Sequence, residues 1–77
     1  MIEKLVRYIE EHGCQVAVLF SRLILYQDYG ERRWSRVWWI SQEDLTSASF
    51  SYFQYLADEY IREILEAVSR EKGVHAA

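Results

Sequence analysis

"QVAVLFSRLILYQDYGERRWSRVWWI", residues 15–40, is the stretch on which the architecture of this chain turns. Its first half is crowded with branched and aromatic side chains, the composition of extended structure. "DYGE" then supplies a glycine where a tight turn needs positive φ. "RRWSRVWWI" resumes the extended pattern. The stretch predicts an antiparallel β-hairpin turning at Tyr29–Gly30. A straight helix over residues 15–27 is the competing reading, because a continuous apolar run does not separate the two by periodicity. Residues 15–28 are long for one strand, so a bend or bulge is expected near Ser21 and Arg22.

With that turn, Leu25 faces Trp34, Leu23 faces Arg36 and Ser21 faces Trp38. Side chains alternate between the two faces of a strand. Leu23, Leu25, Trp34, Trp38 and Ile40 therefore share one face, with Ala17 and Leu19 continuing it. The other face takes Tyr26, Arg33, Val37 and Trp39, together with Arg22 and Ile24, and with Val16, Val18 and Phe20 at its start.

The flanks read as helices. Ile2, Leu5, Val6 and Ile9 recur at i, i+3, i+4 and i+7, one apolar stripe of a helix, and Gly13 suits the left-handed position that ends it near His12. Ser41 followed by Asp44 resembles a capping box. A short helical turn and a long helix from about Ser49 to Lys72, or one continuous helix, follow. Phe53, Ala57, Tyr60, Ile61, Ile64 and Val68 lie on its apolar face, and Asp58–Arg62 and Glu66–Arg70 are favourable i, i+4 pairs. Gly73 closes the helix and "VHAA" is a frayed tail. The expected fold is α+β, in the order helix, antiparallel β-hairpin, long helix, with the helices on one face of the sheet. Residues 1–77 form a single small domain.

Half of the residues are apolar and 16% are aromatic, with a net charge of only −3, which is a globular composition and not a disordered one. Charge is uneven: residues 22–40 carry +2 and residues 41–77 carry −4. An acidic total disfavours broad nucleic-acid affinity, which depends on neutralising many phosphates. No apolar run approaches a membrane span, and "MIEKLVRYIEEH" lacks the form of a secretory signal. The one cysteine, Cys14, cannot form an internal disulfide, so a reducing, cytoplasmic setting is expected. His12, Cys14 and His75 do not make a metal-ligand spacing, and His12 with Cys14 lacks a third, orienting group. No catalytic residue, metal or cofactor is expected.

The expected activity is contact with another protein. Two helices can cover only one face of a hairpin, and a small monomer rarely leaves an apolar patch wet. Tyr26, Arg33, Val37 and Trp39 are the candidates on the second face. Tyr52 and Tyr55, on the polar side of the last helix, are further candidates, because tyrosine is common at interfaces. Homodimerisation through that face or through a strand edge is a second expectation. The alternative is single-stranded nucleic-acid binding, with arginines holding phosphates and indoles stacking bases.

The hairpin around "DYGERRW", the closing acidic helix "LADEYIREILEAVSREKG" and the single small acidic domain resemble the small proteins of phages and mobile elements that include the anti-CRISPR inhibitors. That resemblance implies a stoichiometric inhibitor, acting in the host cytoplasm, that blocks a nucleic-acid-handling complex by protein contact. It assigns no residue a role. The basic stretch from Arg32 to Arg36 departs from the surface of an acidic nucleic-acid mimic.

Overall fold

The computed structural model describes the backbone of residues 1–76 and the side chains of residues 1–73. Six elements follow one another: α1 (Ile2–Glu11), β1 (Gln15–Leu19), β2 (Arg22–Tyr29), β3 (Arg32–Trp39), α2 (Gln42–Ser47) and α3 (Phe50–Ala76). The three strands make one antiparallel sheet in the order β1-β2-β3. The fold is α+β as expected, with one strand more than the hairpin reading supplies and with the short helix before the long one as the first of its two alternatives has it.

The extra strand arises at Phe20–Ser21. The expected bend is a full reversal, and Leu19 pairs with Arg22. Ser21 takes φ 65, a left-handed conformation that L-residues other than Asn and Asp seldom adopt. Strand length predicts a bend or bulge there, and no glycine between Leu19 and Arg22 marks a full reversal.

The second reversal also differs. Tyr29 pairs with Arg32, so the turn residues are Gly30 and Glu31, not Tyr29 and Gly30. Gly30 has φ 64 and Glu31 is not among the positive-φ residues, the sign pattern of a type II′ hairpin with glycine first. Partners move by two residues: Leu23 lies opposite Trp38 and Leu25 opposite Arg36. A shift of two preserves the faces of β2 and β3.

It does not rescue β1. A straight strand would put Leu19 on the side of Leu23, four residues on. The turn at Phe20–Ser21 instead pairs Val18 with Leu23 and Val16 with Leu25. Val16 and Val18 therefore share the side of Leu23 and Leu25, while Ala17 and Leu19 move to the other, the reverse of the sequence reading.

α1 ends as expected, with Gly13 at φ 90. The Ser41 hydroxyl accepts from the Asp44 N–H at 3.0 Å and caps α2. Ala48, at ψ 148, interrupts the helix and separates α2 from α3. Gly73 does not close α3: it lies outside the left-handed region, and the backbone stays helical to Ala76. The remainder of the expected tail lies outside the described residues. Arg62 pairs with Glu59 at 2.6 Å and not with Asp58, whose carboxylate instead accepts from the Tyr8 hydroxyl at 2.6 Å and ties α1 to α3.

Leu5 and Ile9 of α1 and Phe53, Ala57, Ile61 and Ile64 of α3 bury the sheet face of Leu23, Leu25 and Trp38. Cys14 and Ile40 complete this core. Trp38 meets Tyr60 edge-on, with centroids 5.2 Å apart, and tilts against Phe53 at 6.2 Å. Trp34 is only half-buried, under the Arg32 guanidinium 5.0 Å from its ring. The Cα envelope is 47 × 22 × 16 Å. At ~1.5 Å per residue, the 27 residues of α3 set the long axis. The 16 Å dimension leaves room for one layer of helix on one layer of sheet, so the opposite sheet face stays open.

Candidate functional site: an uncovered sheet face

Three cross-strand rows build the open face. At one end Leu19, Arg22 and Trp39 lie side by side. Next come Ala17, Ile24 and Val37, and then Gln15, Tyr26 and Ser35. Asp28 and Arg33 finish the β2–β3 part. Trp39 is 64% exposed, Leu19 43% and Val37 42%. Ile24, at the centre, is half-buried by its neighbours alone. The apolar stripe therefore runs across all three strands. Phe20, at the tip of the β1–β2 turn beside it, is 94% exposed.

Two cations frame the stripe, each over an aromatic ring, and the buried Arg22 Nε has no hydrogen-bond partner among the described residues. The Arg22 guanidinium lies 5.0 Å from the Trp39 ring centre, and that of Arg33 lies 4.4 Å from the centre of Tyr26. Arg33 also donates twice to Asp28, at 2.6 and 3.1 Å. This fork holds the Asp28 carboxyl below the usual carboxylate range, chiefly through the hydrogen bond, and raises Arg33 in turn.

Strand alternation places Tyr26, Arg33, Val37 and Trp39 on one face, and the structure brings all four together there. Tyr52 meets only two of them: a groove of about 380 Å³ between the β3 edge and α3 is lined by Val37, Trp39, Tyr52 and Tyr60, among others, and by neither Tyr26 nor Arg33. Tyr55 is 65% exposed and lies outside this groove. Sequence reasoning missed Leu19 and Ala17 on this face. The missing signal was the serine-based turn, which carries no glycine, asparagine or aspartate to announce it.

The reactive groups lie elsewhere. Cys14 is 3% exposed and its thiol donates to the Tyr26 carbonyl at 3.4 Å. Burial pushes that thiol up, away from the thiolate that nucleophilic chemistry needs. The His12 ring lies against Tyr8, with centroids 4.1 Å apart, and Nδ1 sits 2.8 Å from the Tyr8 carbonyl oxygen. Among the described residues, no three His, Cys, Asp or Glu side chains converge as a metal site. No helix among them is long and apolar enough to cross a membrane.

No protein family, no curated protein and no solved structure matches this chain.

Proposed function

We propose that this chain is a non-catalytic protein-binding module that docks through the open face of its sheet. The observation that carries this reading is the apolar stripe of exposed Leu19, Val37 and Trp39 around half-buried Ile24, uncovered in a domain one helix layer thick. Apolar and aromatic side chains beside arginine make the composition of an interface centre, where a few such groups supply most of the binding energy. The strands beneath hold these side chains rigidly, so docking orders little backbone and keeps its entropic cost low. The finer proposal is that the partner belongs to a nucleic-acid-handling complex, which the chain blocks stoichiometrically. That proposal rests on the resemblance of the sequence to anti-CRISPR inhibitors.

The test is co-purification from the native cell with wild type, Val37→Asp and Trp39→Ala in parallel. The reading expects one protein recovered in near-stoichiometric amount with wild type and lost with both variants while their circular dichroism is unchanged. A partner retained by both variants overturns the choice of face. Nuclease-sensitive, salt-sensitive recovery of nucleic acid, lost on Arg33→Ala, overturns the protein-binding reading in favour of the nucleic-acid one.

A further inference from the structure

The hydrogen-bond pattern of the sheet dictates which way each peptide group of β3 points. The Ile40 N–H donates to the Ser21 carbonyl at 3.1 Å, in line with the β2–β3 pairing of Leu23 with Trp38. Peptide groups alternate in direction along an antiparallel strand. The even-numbered residues of β3 therefore bond to β2. Arg33, Ser35, Val37 and Trp39 turn their N–H and C=O outward, and no hydrogen bond among the described residues reaches those groups. β1, the opposite edge, is shorter, turns only Val16 and Val18 outward, and has α1 packed against it.

Open strand edges are templates for pairing with another strand, and a long one left unblocked is free to take one. The β3 edge carries no proline and no unpaired charge. Arg32 pairs with Glu71 at 3.0 Å, Arg33 with Asp28 at 2.6 Å and Arg36 with Glu63 at 3.4 Å. The arginines are thus neutralised within the chain, and the strand meets an identical strand without net repulsion. Beside the edge runs the groove against α3, where Tyr52 stays half-exposed and Leu56 and Tyr60 are only partly buried. These side chains lack the fourth strand they would otherwise rest on.

We propose that a second copy of this chain supplies that strand. β3 pairs antiparallel with its counterpart about a two-fold axis near its middle. The two three-stranded sheets become one of six, and the two α3 helices come together above the seam. A two-fold axis makes the contact self-complementary and closed, so each outward N–H meets the outward C=O it lacks and no free edge propagates. Tyr52, Leu56 and Tyr60 of each copy then cover those of the other. The open faces end on the same side of the joined sheet, so the dimer presents the docking stripe twice. The inference stands on the edge and the groove, independently of what binds the face.

Amide hydrogen exchange measured from low to high micromolar protein, alongside sedimentation, tests it. The expected result is a dimer in which the amides of Arg33, Ser35, Val37 and Trp39 gain protection as concentration rises. The amides of Val16 and Val18 stay unprotected throughout. A monomer at high micromolar concentration overturns the proposal, and so does a dimer whose β3 amides remain unprotected. Ser35→Pro removes one outward N–H that no strand of the same chain uses, a position where an edge tolerates proline. It is expected to keep the far-ultraviolet spectrum and to abolish the dimer. A folded Ser35→Pro dimer overturns the proposal, and should that variant not fold, the exchange data on wild type decide alone. Partner capture that survives Ser35→Pro leaves the docking face standing while the dimer falls, so the two readings fail separately.

Discussion

Trp38 and Trp39 are neighbours in sequence and opposites in environment, and replacing each with alanine measures the two-layer architecture directly. Trp38 is 5% exposed, contacts Tyr60 and Phe53, and lies opposite Leu23. Truncating a buried tryptophan costs ~3–5 kcal/mol, from lost transfer free energy and the cavity left behind. At ~0.05–0.15 kcal/mol per residue, a domain of this length has ~4–12 kcal/mol in total. Trp38→Ala therefore removes from about a quarter to all of that stability. With a urea dependence of ~1 kcal/mol per molar, typical of a small domain, its midpoint falls by about 3–5 M. Trp39 is 64% exposed and its specific contact is the Arg22 guanidinium at 5.0 Å, a surface cation–π pair of ~0.5–1 kcal/mol. Trp39→Ala therefore lowers the midpoint by about 1 M or less. Urea melts followed by circular dichroism at low protein concentration make the comparison free of dimer linkage. Equal losses for the two variants would refute an open face, and a larger loss for Trp39→Ala would mean that the helices cover the other side.

Two further outcomes follow from single residues. Ser21→Gly relieves the left-handed strain at φ 65, ~1–2 kcal/mol for an L-residue, against ~0.5–1 kcal/mol of extra chain entropy; a higher thermal midpoint is expected, and a lower one contradicts the strained turn. The Asp28 carboxyl, held down by Arg33, makes the pair stabilising above the ordinary aspartate value, a contribution lost as pH falls through the depressed folded-state value. Carboxyl-detected NMR should find Asp28 titrating low in wild type and returning toward the ordinary value in Arg33→Gln; an ordinary value in wild type would rule out the fork.

Elements whose signal is local are legible in the residues alone. The stripe of Ile2, Leu5, Val6 and Ile9 with Gly13 behind it fixed α1, because helix period and cap are both read over a few residues. Ser41 and Asp44 marked the cap of α2 for the same reason. The alternation in "RRWSRVWWI" separated Trp38 from Trp39, and that separation holds. Packing resolves what local signals leave degenerate. Ser21 adopts positive φ because the Leu19–Arg22 pairing and the burial of Leu23 and Leu25 over-determine the reversal, and nothing in "LFSRL" encodes it. That one turn inverted the faces of β1, since side-chain orientation along a strand is carried by parity and a reversal resets it. The bond that Asp58 makes with Tyr8, fifty positions away, displaced the pair with Arg62 that helix spacing suggested. The open face and the free β3 edge are likewise properties of layering: which side of a sheet stays bare depends on where α1 and α3 both come to lie, and no stretch of the chain carries that information alone.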